Sequence, residues 1–140
     1  MNAAARKAVG LALSAAFAAV GGLFLLAPDG VLRFLNSLGR GLGMAEAPSA
    51  GLGFYSILAV AYMAVVTALA WRMFRAPSEP VYPLLLAQAK GASSLLSFGL
   101  LVFQAPYFAY LANGVVDGIL AIAAYLVYGQ IKKSAGARPG

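Results

Sequence analysis

Four long apolar stretches, separated by short polar segments, account for most of the 140-residue chain. A helix of about 20 residues spans the ~30 Å hydrocarbon core of a bilayer, and each stretch reaches that length. The pattern therefore predicts an all-α integral membrane protein whose four transmembrane helices form a bundle. The predicted spans are residues 8–27, 51–71, 81–103 and 106–131. Together with their connections they make the whole chain, 1–140, a single membrane domain.

The segment 31–44, between the first two spans, has an amphipathic pattern. Its apolar residues recur at helical spacing and its polar residues lie mostly elsewhere. The apolar residues are Val31, Leu35, Leu38 and Leu42. This predicts a short helix lying on the membrane surface. The alternative is an ordinary loop that contains a helical turn and packs on the bundle. Residues 132–140, beyond the last span, are small and polar and are expected to form a flexible tail.

Charge adds an orientation to this topology. Only 10% of the residues are charged, against about 25% in soluble domains. Seven of the ten basic residues fall on the side of the two termini and two on the opposite side. The positive-inside rule then predicts cytoplasmic termini in a bacterial-type inner membrane. Nucleic acid is not an expected partner, because the basic residues form no continuous patch. The predicted interface anchors are Trp71, Arg72, Arg75, Lys132 and Lys133.

The tenth basic residue, Lys90, lies inside the third span, and Asp117 lies inside the fourth. Lys90 is ~13 Å from the cytoplasmic end of its span and Asp117 is ~16 Å from the outer end of its own. The connection between these spans is so short that they must be antiparallel neighbours. Both residues therefore lie near the bilayer midplane, where an unpaired charge costs at least ~2.5–3.5 kcal/mol. We expect a Lys90–Asp117 pair; the alternative is that Lys90 extends toward the cytoplasmic surface without meeting Asp117.

Other polar residues of the spans share a helix face with this pair or lie at a similar depth. They are Asn113, Ser94, Ser97, Tyr110 and Tyr62. We expect them to form one intramembrane polar site with the pair, although the serines are equally compatible with bonds to their own helix carbonyls. The pair itself is compatible both with a structural staple that sets helix register and with a functional site.

Small residues mark two faces for close helix packing. Gly114 and Gly118 form a GxxxG motif around Asp117. Four small residues also recur at every fourth position of the first span and make a stripe that a partner helix would fit. They are Gly10, Ser14, Ala18 and Gly22.

The chain contains no Cys and no His, so no cofactor or metal is expected to bind through these ligands. Contact with a quinone or lipid is conceivable, but no spacing specifies it. The leading hypothesis is a non-catalytic accessory, structural or assembly subunit of a larger membrane complex, for which an energy-transducing complex is one option. Its expected partners are the lipid bilayer and either other membrane subunits or a second copy of the chain.

Two alternatives stand beside this hypothesis. One is a small proton-coupled transporter or channel that acts as an oligomer and uses the Lys90–Asp117 pair as its protonation switch. The other is an intramembrane enzyme with Ser94 as nucleophile and Lys90 as base. The enzyme is disfavoured because a lysine paired with a carboxylate is a poor base.

Overall fold

The computed structural model describes residues 1–49 and 52–136, and within these ranges the chain folds into five α-helices. They are α1 (Ala3–Leu26), α2 (Pro28–Gly41), α3 (Leu52–Arg75), α4 (Val81–Phe103) and α5 (Phe108–Gly136). Four of them, α1, α3, α4 and α5, are long and apolar enough to cross a membrane. The prediction of an all-α membrane bundle with four spans is confirmed.

The helices extend beyond the apolar stretches that predicted them. α1 begins at Ala3 and α5 continues to Gly136, so residues 132–136, which the sequence predicts as part of a flexible tail, are helical. Residues 137–140 lie outside the part of the chain that is described. Hydrophobicity marks only the membrane-buried part of a helix, whereas Lys and Gln are good helix formers that let the backbone hydrogen bonding continue past it. Pro106, the first residue of the predicted fourth span, instead precedes α5.

Two close antiparallel helix pairs, α1–α3 and α4–α5, make up the bundle. Gly10 allows the first pair to approach, because a Cβ at this position would lie 2.5 Å from the backbone nitrogen of Phe74. In the second pair, a Cβ on Gly114 would lie 3.1 Å from the Phe98 ring, and a Cβ on Gly118 would lie 3.0 Å from the Ser94 hydroxyl. Glycine thus allows close approach in both helix pairs, to the backbone of α3 in the first and to side chains of α4 in the second, as small residues do in membrane bundles.

The apolar core occupies mainly the half of the bundle that is nearer to the two termini. It draws on the C-terminal halves of α3 and α5 and the N-terminal half of α4. Its buried members are Phe17, Met63, Val66, Ala70, Met73, Leu86, Ala87, Ala124, Val127 and Ile131. In the opposite half, buried positions of α4 include the hydroxyl residues Ser94 and Ser97. The buried positions nearer the termini are therefore mainly apolar, with Arg6 and Ser14 as polar exceptions, whereas those of α4 on the other side of the midplane include serines.

The predicted amphipathic segment is a helix, α2, and it also packs on the bundle. Gly39 is buried against α5, where a Cβ would lie 2.7 Å from the Cβ of Phe108. A second set of apolar side chains faces outward. They are Phe34, Leu38 and Leu42, with 61%, 43% and 65% of their surface exposed. The apolar arc of this segment is thus divided between the protein interior and the surface, as expected for a helix that lies beside a bundle in the membrane interface.

A short strap after α2, residues 44–47, is held by side-chain contacts. The Asn36 amide donates to the Ala47 carbonyl and accepts from the Ala47 N–H, each at 3.0 Å. Arg40 forms an exposed ion pair with Glu46 at 2.7 Å. Ala45 makes an isolated bridge to Tyr107, so the strap connects α2 to the turn between α4 and α5.

Candidate functional site

Lys90 and Asp117 form a buried ion pair between α4 and α5. The Lys90 ammonium donates a hydrogen bond of 2.9 Å to Oδ1 of Asp117. Only 4% of each side chain is exposed. The predicted pairing is therefore confirmed, and Lys90 does not extend to the end of the bundle that carries the termini. Because each charge would be costly alone in this environment, the two side chains depend on each other for their burial.

Aromatic rings from the other two spans enclose the Lys90 ammonium. Its nitrogen lies 4.8 Å from the ring centroid of Phe17 in α1 and 4.9 Å from that of Tyr62 in α3. Both distances are within the range of a cation–π interaction, which strengthens when the cation is removed from water. Lys90, on α4, therefore contacts one residue from each of the three other spans.

Tyr62 supports this arrangement in a second way. Its hydroxyl donates to the carbonyl of Ala89 at 3.1 Å. This bond ties α3 to the turn of α4 that carries Lys90. The link helps to hold the two helix pairs together, since the bond and the ring contact both cross from α3 to α4.

Asp117 retains an unused hydrogen-bond acceptor. Its Oδ2 is buried and has no partner among the described residues. An ionised carboxylate has about four acceptor positions, and a buried one normally fills several of them. This oxygen is the position in the site that is best suited to receive a proton or a hydrogen bond from a further donor.

A row of hydroxyl and amide groups extends from the pair toward the α4–α5 turn. Ser94 donates to the Gly114 carbonyl at 2.7 Å. Asn113 donates to the hydroxyls of Ser97 and Ser93, at 2.8 Å and 3.1 Å. Ser94 thus donates across the interface to α5, and Ser93 and Ser97 accept hydrogen bonds from α5. On the other side of the pair, toward the termini, the neighbouring buried positions are apolar core.

The remaining predicted site residue, Tyr110, lies further from the pair. It is seven residues from Asp117, or about 10 Å along the helix. Its ring packs against that of Tyr107, with the centroids 5.5 Å apart. Of the predicted polar residues, the structure brings Tyr62 to the ion pair and places Ser94, Ser97 and Asn113 in the adjoining row.

The small-residue stripe of α1 is used mainly within the chain. Gly10 packs on the backbone of α3, and the Ser14 hydroxyl donates to the Thr67 carbonyl at 3.5 Å. Ala18 is exposed, and a Cβ on Gly22 would meet nothing within 4 Å. The stripe is thus divided, and only its end nearer α2 is open to another helix.

The predicted anchors lie at the end of the bundle that carries the termini. Trp71 is 43% exposed and packs against Phe74, with ring centroids 5.1 Å apart. Arg72, Arg75, Lys132 and Lys133 are exposed. Arg6 differs from them, because it is only 9% exposed and its Nε and Nη1 lack a partner among the described residues.

Two contacts of the site were missed by reasoning from the sequence. Phe17 carries no polar group that distinguishes it from the other apolar residues of the first span, although its mid-span depth is a signal. Ser93 lies three residues after Lys90, so the i, i+3 spacing on one helix face is the signal that points to it. Both contacts depend on how the helix pairs pack, which periodicity within one helix does not encode.

No protein-family model matches the chain, and no curated protein or solved structure is significantly similar to it. Within residues 1–49 and 52–136, no group of three or more His, Cys, Asp or Glu side chains is placed to hold a metal ion. The geometry of the bundle and its ion pair is therefore the basis for inferring its function.

Proposed function

We propose that the chain is a non-catalytic accessory subunit that contributes a rigid four-helix bundle to a larger membrane complex. The observation that carries this proposal is the enclosure of Lys90, whose ammonium meets Asp117, Phe17 and Tyr62 from three different spans. A charge held in this way is suited to fixing the register of four helices. The distribution of basic residues supports a location in a bacterial-type inner membrane with both termini in the cytoplasm.

Native mass spectrometry after gentle detergent extraction from the source membrane tests this role. An accessory subunit is expected to appear in stoichiometric association with larger polypeptides. The Lys90→Met variant is compared with the wild type in the same measurement. It should lose the association, because a staple that sets helix register is needed for the bundle to assemble with its partners. Recovery of the wild-type chain alone, or only with copies of itself, would refute the subunit role.

Proton-coupled transport is the second candidate, and the free Oδ2 of Asp117 favours it. This oxygen lies at one end of the row formed by Ser94, Ser97 and Asn113, and the apolar core closes the opposite side. A carboxylate with polar groups on one side and mainly apolar packing on the other is suited to exchange protons with the polar side. In this case the Lys90–Asp117 pair is the switch, and protonation of Asp117 releases Lys90.

Proton flux into vesicles containing only the purified chain tests the second candidate. Wild-type protein is expected to raise the flux above that of protein-free vesicles, and Asp117→Asn is expected to abolish the increase. Glu46→Gln is the matched control, because Glu46 is an exposed carboxylate outside the spans. Equal flux in wild-type and Asp117→Asn vesicles would exclude the pair as a switch.

A further inference from the structure

A groove of about 420 Å³ lies between α4 and α5 on the outer surface of the bundle. Its walls are mainly aliphatic, and Ala87 and Ala121 keep it concave. Gly91 lies beside it, where a Cβ would be 3.9 Å from that of Ala121. Two polar side chains, Gln88 and Tyr125, also line the groove. Such a surface admits the side chains of another helix and lets its backbone approach closely.

Gln88 is the unusual residue of this surface. It lies seven residues into α4, about 10 Å from the start of the span, and it is exposed. Its side-chain amide makes no hydrogen bond within the described part of the chain. In hydrocarbon an amide without a partner is costly, because no water replaces the missing bonds. Lipid tails offer neither a donor nor an acceptor, so they cannot satisfy this side chain.

We propose that this groove is a self-association surface, in which a second copy of the chain docks so that the two Gln88 side chains hydrogen-bond to each other. A primary amide is both donor and acceptor, and it therefore complements itself. A twofold axis places a residue opposite its own copy, which is the arrangement that such an amide needs. Two Gln88 amides across the axis supply each other with a donor and an acceptor in the hydrocarbon.

The uncharged lining of the groove is compatible with a second copy at this position. The chain carries a net charge of +6, so two copies repel each other wherever their basic ends face. The groove lining contains no Lys, Arg, Asp or Glu, and it is therefore a surface on which identical chains meet without like charges in contact. This inference goes beyond the proposed subunit role and does not depend on it.

Disulfide cross-linking in vesicles tests the geometry directly, because the chain has no cysteine of its own. Ala92→Cys keeps Gln88 intact and places a thiol one helical turn away on the same face of α4. Ala64→Cys is the control: it is also an exposed alanine, and it lies eleven residues from the cytoplasmic end of α3, as Ala92 does in α4. We expect oxidation to give covalent dimers with Ala92→Cys and few with Ala64→Cys. Equal yields, or no dimers with Ala92→Cys, would overturn the proposal.

Energy transfer between fluorescently labelled copies, measured as the protein is diluted with lipid, tests the role of the amide. Gln88→Leu is expected to weaken dimerisation by about 3- to 20-fold, the range of one interhelical hydrogen bond in a membrane. Gln104→Leu, in the exposed turn after α4, is expected to leave it unchanged. If Gln88→Leu dimerises as wild type does, or if the wild type stays monomeric, the proposal fails. Because only this chain is present, the result is separate from any test of a larger complex.

Discussion

Lys90 Nζ and Asp117 Oδ1 lie 2.9 Å apart in the interior of the bundle, although the α4–α5 turn lies between them in the chain. Lys90 is on α4 and Asp117 is on α5. The Lys90 ammonium also faces aromatic rings from α1 and α3. The pair is therefore a single point at which the positions of all four spans are coupled.

Removal of one charge should be more harmful than removal of both. Lys90→Met or Asp117→Leu leaves a buried charge without its partner, and we expect each to lower the free energy of unfolding by about 3 kcal/mol. The double variant leaves no charge and should recover most of this loss. Unfolding in mixed detergent micelles measures the three values. Single variants as stable as the wild type would mean that the pair contributes nothing to the fold.

Gly10 and Gly22 provide a matched comparison within α1. Gly10→Ala places a methyl group 2.5 Å from the backbone of Phe74, which cannot move without separating α1 from α3. We expect a loss of about 1–3 kcal/mol in the free energy of unfolding, as for other overpacked sites. Gly22→Ala enters open space and should be neutral or stabilise by up to about 1 kcal/mol through helix propensity. If the two variants behave alike, α1 and α3 do not pack as described.

The clamp, by which we mean the two hydrogen bonds between Asn36 and Ala47, should stabilise the strap 44–47 more than the nearby Arg40–Glu46 ion pair does. Asn36→Ala removes two hydrogen bonds to Ala47, so the strap 44–47 should exchange its amide hydrogens faster. Arg40→Ala removes an ion pair whose side chains are 71% and 53% exposed. It should change the free energy of unfolding by at most about 0.5 kcal/mol. Hydrogen–deuterium exchange of the strap distinguishes the two, and equal protection in both variants would contradict a role for the clamp.

Labelling of single cysteines tests the orientation. Ser37, in α2, and Ser134, near the end of α5, are both exposed, so each can be replaced with cysteine to report its side of the membrane. A membrane-impermeant maleimide should label Ser37→Cys in intact spheroplasts and Ser134→Cys only after permeabilisation. The distribution of basic residues is the reason for this expectation. The opposite labelling pattern would invert the proposed topology.

The polar site could be predicted from the sequence only in part. Lys90 and Asp117 could be paired because depth in the membrane follows from residue number and the short turn fixes the relative direction of their helices. The contact with Phe17 could not be predicted, because it requires α1 to approach α4 across the bundle. The serines were also ambiguous, since a hydroxyl on a helix bonds to its own carbonyls as readily as to a neighbouring helix.

The sequence by itself determined the number of spans, the amphipathic segment between the first two, and the depth of Lys90 and Asp117. These properties are local, because they depend on hydrophobicity and helical periodicity along one segment. Only the tertiary structure decided that α1 pairs with α3, that Gly10 and Ser14 are buried in that contact, and that Gln88 remains at the surface. Which helix faces meet depends on how side chains of different spans fit together. That fit is set by packing between segments that are distant in the chain.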